Sequence, residues 1–263
     1  KQNQDVYNKE ELAGLIGKTV ITRMFRDFAG EKYKIRTHAV SPSDGEREVY
    51  RVIIEEFCRI CELYYNSTGD AKKDAGLRLM RQIKLLIKAC SVPHLIEGYS
   101  GDGIPNKTRY IERLVRKIPG KVAVGCTSIA AFDLYESRLR ECFPERPVFV
   151  VKGDVAFKKR QSVVTAFDST VNGILVCTQQ SLSSSVNIPT CNDVILESLQ
   201  WNIPKMEQFY VRFIRLDSKE LKDVHYVTYK DSVEQNLMAL VLTKERLNEF
   251  IKTGEVKEQS EIF

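Results

Sequence analysis

The chain has 263 residues, of which 43% are hydrophobic and 29% charged, enough to bury a substantial core in one large domain or two smaller ones. Its formal net charge of +5 is mild and does not by itself indicate nucleic-acid binding. No apolar run approaches the ~18 residues that span a bilayer, which excludes a membrane-spanning protein. The N-terminus has neither an apolar signal core nor an initiator methionine. We therefore expect an intracellular, cytoplasmic protein with no membrane partner, and a fragment of a longer polypeptide.

The first hundred residues differ in pattern from the rest. Residues 33–40 have the composition of a strand, and residues 41–65 begin with turn and capping residues and continue with helical periodicity. The polar, glycine-containing segment 66–76 predicts an exposed loop. Residues 76–96 predict a second helix that is stopped before Pro93. This part of the chain is therefore expected to be a strand followed by two helices.

The glycine-rich segment 97–107 predicts a boundary before the next unit. We divide the chain into a linker and helical segment (1–99), an α/β domain (100–245) and a C-terminal tail (246–263).

Two short motifs are rejected on their context. Residues 17–19 read Gly-Lys-Thr, the end of a P-loop signature, but Leu12 stands where that signature needs a glycine and no apolar strand precedes it. Cys58 and Cys61 form a C-x-x-C with helical surroundings and no second ligand pair at zinc spacing. The odd total of seven cysteines, without a secretion signal, predicts reduced thiols. We expect no metal site, and we expect this fragment alone not to hydrolyse ATP.

From about residue 120, short apolar runs alternate with amphipathic helical segments, one of which covers residues 204–216. Several runs are apolar throughout, as in strands covered on both faces. This alternation predicts an α/β fold with a mostly parallel sheet flanked by helices, in which ligands bind beyond the carboxyl ends of the strands. The runs are residues 121–126, 148–153, 173–178, 193–198 and 224–229.

Two arginines and one glutamine follow the run at 193–198. With helical spacing, Gln208, Arg212 and Arg215 fall on one face. Guanidinium groups are planar, permanently charged donors suited to phosphate. The alternative is an ion pair of either arginine with Glu207 or Asp217.

Three segments together resemble the motifs of a known family. The pattern Q-x-x-x-R-x-x-R of residues 208–215, preceded by Trp201-Asn202, resembles motif VI of superfamily-two helicases, specifically the Swi/Snf-type DNA translocases. Residues 174–195 are similar to their motif V, with serines where the family usually carries glycines, and residues 122–139 are similar to motif IV. The resemblance spans about residues 15 to 245.

The resemblance implies a RecA-like fold and a role as the second of two motor domains. Arg212 and Arg215 would act as arginine fingers that stabilise the transferred phosphoryl group, and Gln208 would help to place them. ATP with Mg²⁺ would be bound mainly by an N-terminal RecA-like domain of the same parent polypeptide, which this sequence does not contain.

The same resemblance implies double-stranded DNA as a partner. Hydroxyl, ammonium and amide groups after the other strands would contact phosphate oxygens without regard to sequence. For the serine and threonines that follow strands, helix capping is the alternative role. The implied nucleic-acid-binding residues are Thr127, Ser128, Lys152, Thr178 and Asn187.

Two other functions remain open from the sequence. One is a catalytically degenerate helicase-like module that docks DNA or protein, which the serine-rich motif V permits. The other is an unrelated α/β enzyme using the same cleft, for which Glu197 alone is a poor supply of catalytic carboxylates. Large polypeptides of phage or mobile elements that contain such a helicase are also similar, so a phage or mobile-element origin is one expectation for the parent polypeptide.

Overall fold

The computed structural model describes residues 32–153, 156–182, 186–200, 203–214 and 220–238. These residues form one sheet covered by helices on both faces. None of the helices in these ranges is long and apolar enough to cross a membrane.

The sheet has six strands in the order β1-β6-β5-β2-β4-β3, and its five pairings are all parallel. The central strands β2 and β4 are fully buried, which explains their continuous apolar sequence. The predicted α/β fold with a parallel sheet is thus confirmed. The strands are β1 (Tyr33–Val40), β2 (Val122–Cys126), β3 (Val148–Val151), β4 (Ile174–Thr178), β5 (Asp193–Leu196) and β6 (Lys222–Tyr229).

The helices connect the strands or precede them. A 3₁₀ turn covers Pro93–Leu95, a second covers Val211–Phe213, and residues 233–238 are helical. The α-helices are α1 (Asp44–Asn66), α2 (Gly69–Ser91), α3 (Asn106–Lys117), α4 (Ile129–Cys142), α5 (Phe157–Asp168) and α6 (Ile203–Tyr210).

Helix α1 begins where its capping residues predict. The Ser43 hydroxyl accepts from the Glu46 N–H at 3.4 Å, and the Glu46 carboxylate accepts from the Ser43 N–H at 2.6 Å, which completes a capping box. The same carboxylate accepts from the N–H of Asn106 at 2.7 Å, so one side chain serves the starts of both α1 and α3. Glu46 is accordingly buried.

The loop predicted over residues 66–76 is wrong, because α2 already begins at Gly69. Tertiary contacts favour the helix: Ala75 is buried, and the Lys72 ammonium lies 4.9 Å from the centre of the Tyr64 ring on α1. An ion pair of Lys73 with Asp70 at 3.0 Å adds to the first turn. Packing against α1 therefore overrides a polar, glycine-containing sequence.

Two hydrophobic clusters sandwich the sheet. One contains the buried side chains of α5 and α6 and the other those of α3 and α4, and successive strand residues alternate between them. For example, Ala123 belongs to the first cluster and Val124 to the second. Helix α3 is absent from the sequence prediction, which places its first residues in a boundary segment; its Ile111 and Val115 are fully buried in the second cluster.

Strand β1 belongs to the same sheet as the other strands. It pairs with β6 at eight positions, from Tyr33 opposite Lys222 to Val40 opposite Tyr229. The residues that precede the α1–α2 hairpin therefore supply an edge of the sheet.

Candidate functional site

The carboxyl ends of four adjacent strands, β5, β2, β4 and β3, form one edge of the sheet, and four of the predicted site residues lie at this edge. Cys126 and Thr178 are register partners at the ends of β2 and β4, so Thr127 and Ser128 leave the sheet beside Thr178. Val151 of β3 lies opposite Cys177, which brings Lys152 to the other side of Thr178. The parallel register thus brings these four residues into one row.

Ser128 caps helix α4, the alternative role considered from the sequence. Its hydroxyl accepts a hydrogen bond from the Ala131 N–H at 3.1 Å, and its side chain is exposed. A hydroxyl that accepts one hydrogen bond keeps its own proton as a donor. Capping and a hydrogen bond to an anion at this helix start are therefore compatible. Thr127 beside it is half-buried.

The turn after Thr178 is held by a serine at a position where the resembling family usually carries glycine. The Thr178 carbonyl accepts from the Ser181 N–H at 2.9 Å, and the Ser181 hydroxyl lies 2.7 Å from the same carbonyl oxygen and 3.0 Å from that of Val151. Ser181 is buried and Thr178 is 8% exposed. Ser181 thus ties the turn to β3. Residues 183–185 lie outside the described residues.

An arginine on α5 also secures this turn. Arg160 donates to the carbonyl of Ser181 at 2.9 Å and to that of Gly153 at 3.3 Å. It therefore joins the loop after β3 to the turn after β4.

Lys152 is engaged by α4. Its ammonium lies 2.7 Å from the Asp133 carboxylate and 4.6 Å from the centre of the Phe132 ring. Both members of the ion pair are partly exposed, and such pairs contribute only about 0–1 kcal/mol. A phosphate group would thus displace Asp133 from Lys152 at little cost in free energy.

The helix that carries the candidate arginines is shorter than predicted. The sequence predicts one helix over 204–216, but α6 ends at Tyr210, a 3₁₀ turn follows, and Ile214 is extended with φ −106° and ψ 127°. Gln208 is exposed on α6 and Arg212 is half-buried in the 3₁₀ turn. Arg215 lies outside the described residues, as do Trp201 and Asn202.

A main-chain hydrogen bond accounts for this ending. The N–H of Ile188 donates to the carbonyl of Arg212 at 2.8 Å, which gives that carbonyl a partner outside the helix. Ile188 is fully buried, whereas Asn187 before it is exposed. The segment that carries Asn187 is therefore joined directly to the turn that carries Arg212.

Helix α6 rests on β2 through Gly125. A Cβ at Gly125 would lie 2.5 Å from two ring carbons of Phe209, so only a residue without a side chain fits beneath this ring. Met206, Phe209 and Phe213 are fully buried on this side of α6 and the following turn. The close approach of α6 to β2 therefore requires glycine at position 125.

A buried ionic network lies behind the same edge, and no sequence pattern predicts it. The Lys107 ammonium contacts both carboxylate oxygens of Glu234, at 2.6 and 2.7 Å, and the carbonyl of Glu197 at 3.2 Å. The carboxylate of Glu234 also accepts from the Ser198 hydroxyl at 3.0 Å and the Tyr229 N–H at 2.9 Å. The loop after β5 is thus anchored to α3 and to residues 233–238.

Glu197 itself is fully buried and accepts a hydrogen bond from the Ser91 hydroxyl at the end of α2. Burial raises the pKa of its carboxyl group, a shift that the positive charge of Lys107 opposes. Burial also disfavours the charge of Lys107, but Glu234 and Glu197 outweigh this and raise its pKa.

A second polar cluster lies nearer the amino ends of the strands. Within the described ranges, Asp193, Asp223 and His225 are close enough together to share a metal ion. Their groups already have partners: Nε2 of His225 lies 3.0 Å from Asp193, its Nδ1 lies 3.0 Å from Nε2 of His38, and Asp223 pairs with Arg36 at 2.8 Å. Burial lowers the pKa of His38, and the neighbouring His225 adds to this shift. The cluster ties β5, β6 and β1 together.

Comparisons with known proteins agree with this architecture. Residues 106–217 match the family described as the helicase conserved C-terminal domain. The chain is similar to the C-terminal part of the Fun30 ATPase domain, with a TM-score of 0.66 and 13% identity over 84% of this chain and 97% of that one. No curated protein matches the sequence.

Two further similar structures come from Sulfolobus solfataricus. Its SWI2/SNF2 ATPase C-terminal domain gives a TM-score of 0.61 and 15% identity over 83% of this chain and 89% of that one. Its SWI2/SNF2 ATPase core in complex with dsDNA gives a TM-score of 0.64 and 18% identity, over 98% of this chain and 56% of that one. This chain therefore spans about half the length of that ATPase core.

Residues 106–217 are thus similar to helicase C-terminal domains. The described residues have the RecA-like fold seen in the C-terminal domains of Swi2/Snf2 ATPases, as the resemblance of motifs IV, V and VI implies.

Proposed function

We propose that this chain is the second motor domain of an ATP-dependent DNA translocase. In this proposal it supplies Arg212 and Arg215 as arginine fingers to an ATPase that an N-terminal RecA-like domain of the same polypeptide completes. The observation that supports the proposal is the row of hydroxyl and ammonium groups at the carboxyl ends of β2, β4 and β3, in a segment that matches the helicase conserved C-terminal domain. An amide and a guanidinium follow β5, and hydroxyl groups follow β2 and β4.

The nucleotide side of the proposal rests on α6 and the turn after it. Gln208 is exposed on α6, and Arg212 is half-buried in the turn that follows it. Their groups donate hydrogen bonds, which suits the oxygens of a phosphate chain. ATP and Mg²⁺ would supply the phosphoryl group and neutralise part of its charge. The role of Arg212 and Arg215 would be to stabilise the remaining negative charge that develops during transfer.

The magnesium ion would be held mainly outside this domain. Glu197, the carboxylate that follows β5, is fully buried beneath the edge, and Glu234 is paired with Lys107. Neither carboxylate is available to a metal ion at the surface. This supports a division in which the first motor domain binds Mg²⁺ and this one provides positive charge.

The DNA side rests on the row formed by Ser128, Thr178 and Lys152. The exposed hydroxyl of Ser128 at the start of α4 is suited to a phosphate oxygen, as is the weakly paired ammonium of Lys152. Asn187, which is exposed, would extend this surface toward Arg212. Contacts of this kind are independent of base sequence, as a motor that follows DNA requires. One of the similar structures, the Sulfolobus ATPase core, is a complex with dsDNA.

The second candidate is a degenerate module that docks DNA or protein without taking part in ATP hydrolysis. It is favoured by the serines that replace glycines in motif V. Ser181 nevertheless fits its turn, because its hydroxyl donates its proton within hydrogen-bonding distance of the Thr178 and Val151 carbonyl oxygens. An unrelated α/β enzyme is less well supported, because the burial of Glu197 removes the carboxylate that it would need.

The deciding experiment measures DNA-stimulated ATP hydrolysis by the polypeptide that joins this chain to its first RecA-like domain. We expect Arg212→Ala and Arg215→Ala each to lower turnover by about 10³-fold or more while DNA binding is retained, as for arginine fingers generally. Arg113→Ala, which removes an exposed arginine from α3, is the matched control and should leave turnover unchanged. If both finger variants keep the turnover of the parent, the docking module becomes the better description.

A second experiment uses this chain alone. We expect it to bind duplex DNA weakly, with an affinity that falls steeply with salt, and to lack ATPase activity. Lys152→Ala should lower the slope of log K against log salt by about one, the value for a single phosphate contact. A slope identical to that of the parent would remove Lys152 from the DNA surface.

A further inference from the structure

Gln179, within the segment similar to motif V, links several parts of the candidate site. It directly follows Thr178 and is 1% exposed. Its side-chain amide donates to the carbonyls of Gly125 at 3.2 Å and Ser198 at 2.9 Å, and its Oε1 accepts from the Gln200 amide at 2.8 Å. Its backbone N–H donates to the carbonyl of Cys126 at 2.9 Å.

These hydrogen bonds join the segments in which the chain leaves three strands at their carboxyl ends, here called the exits of β2, β4 and β5. Gln179 itself leaves β4, its partners Gly125 and Cys126 end β2, and Ser198 and Gln200 lie in the loop between β5 and α6. Both polar atoms of the side chain are used, and a buried amide in this position has no freedom to move without losing hydrogen bonds. The three exits are therefore fixed relative to one another by one side chain.

Each exit carries one part of the proposed motor. Thr178 at the end of β4 and Ser128 after β2 belong to the proposed DNA surface, whereas the loop after β5 leads into α6 and Arg212. The Cβ position of Gly125 lies 3.1 Å from Cγ of Gln179 and 2.5 Å from the Phe209 ring, so Gln179 and α6 meet at the same glycine. A displacement at the end of β4 is thereby passed both to the loop before α6 and to the residue beneath α6.

We infer that Gln179 is a positioning residue that makes the placement of Arg212 depend on DNA contact at the ends of β2 and β4. This rests on the proposed function. Gln179 contacts neither DNA nor nucleotide in this scheme. It sets the relative positions of the elements that do, and its loss would leave each proposed contact present but uncoupled from the others.

The test compares Gln179→Met with Gln180→Met. Methionine keeps the length of the side chain and removes its hydrogen bonds, and Gln180 is the adjacent exposed residue of the same type. In the polypeptide with both motor domains, we expect Gln179→Met to lower DNA-stimulated turnover by about 2- to 30-fold, the usual range for a coupling residue. DNA-free turnover and the Kd for DNA should stay within about threefold of the parent.

Hydrogen exchange on this chain provides a readout that does not depend on ATPase activity. In Gln179→Met, amide exchange should rise in both 179–182 and 198–210, because the side chain no longer joins them. In Gln180→Met any rise should be confined to 179–182. If Gln179→Met does not fold, Gln200→Met removes only the contact with Oε1 and should show a smaller rise in the same two segments.

The outcomes separate this inference from the proposed function. An active parent whose DNA stimulation survives Gln179→Met overturns the positioning role, as does a rise in exchange restricted to 179–182. If the parent shows no DNA-stimulated turnover at all, the proposed function is wrong. The exchange pattern then decides by itself whether Gln179 joins the three exits.

Discussion

Replacing Gly125 by alanine tests the close approach of α6 to β2. The added methyl group would lie 2.5 Å from two carbons of the Phe209 ring, and Phe209 is fully buried, so the ring has no open space to enter. Forced overlap of this kind in a packed core costs about 1–3 kcal/mol. Alanine also lowers the conformational entropy of the unfolded chain relative to glycine, which stabilises the folded state by about 0.4–1 kcal/mol. We therefore expect a net loss of about 0.5–2 kcal/mol.

Thermal unfolding followed by circular dichroism measures this change. A loss of about 0.5–2 kcal/mol corresponds to a Tm lower by roughly 1–8 °C for a chain of this size. Gly120→Ala is the control, because its added methyl group meets no atom within 4 Å. That variant should unfold at the parent's Tm or slightly above it. Equal midpoints for the two alanine variants would refute the contact.

A double-mutant cycle identifies Phe209 as the partner. Phe209→Leu alone removes ring atoms from the core and should destabilise the chain. Combined with Gly125→Ala it should cost less than the sum of the two, with an interaction of about 0.5–3 kcal/mol, because the smaller side chain makes room for the methyl group. Additivity within about 0.5 kcal/mol would show that α6 does not rest on this glycine.

Three further substitutions test the buried network and the start of α1. Lys107→Met leaves Glu234 buried without its cation, so urea denaturation at pH 7 should show a loss of about 3–5 kcal/mol; a loss below about 1 kcal/mol would contradict the pairing. Ser43→Ala breaks the capping box with Glu46 and should lower stability by about 0.5–2 kcal/mol, measured as a shift in Tm. Burial raises the pKa of Glu197, so the folded protein binds the proton of this carboxyl group more tightly than the unfolded chain does. The free energy of unfolding of the parent should therefore fall as pH rises above the usual glutamate range. Glu197→Gln removes that loss, and its stability relative to the parent should increase as pH rises above the usual glutamate range; a constant difference would contradict the raised pKa.

The strands were predictable because their signal is local. Runs such as 174–178 are apolar almost throughout, which is what burial on both faces requires. The end of α6 was not predictable in the same way, since it depends on a hydrogen bond between Arg212 and Ile188, which is distant in sequence. Helical spacing alone would have continued the helix to Arg215.

The candidate site divides in the same manner. Thr178 and Ser128 stand in motifs at strand ends, so their place at the carboxyl edge follows from the order of strands and helices, and Arg212 stands in a motif on the segment that follows β5. Gln179 lies inside the segment similar to motif V, but no pattern marks its side chain as buried, because its partners include main-chain carbonyls of Gly125 and Ser198, which carry no side-chain signature. The ion pair of Lys107 and Glu234 could not be predicted from the sequence either, because two opposite charges 127 positions apart form no recognisable sequence pattern.

The pairing of β1 with β6 has a mechanical consequence. The two strands run parallel and in register over eight positions, and the chain enters β1 from residues that precede the whole domain. Tension applied along β1 from that side would load the interstrand hydrogen bonds together, in shear, rather than open them one after another. A strand held in this way resists a pull along its axis far better than a peeling force at one end, so β1 is suited to bear tension along the sheet.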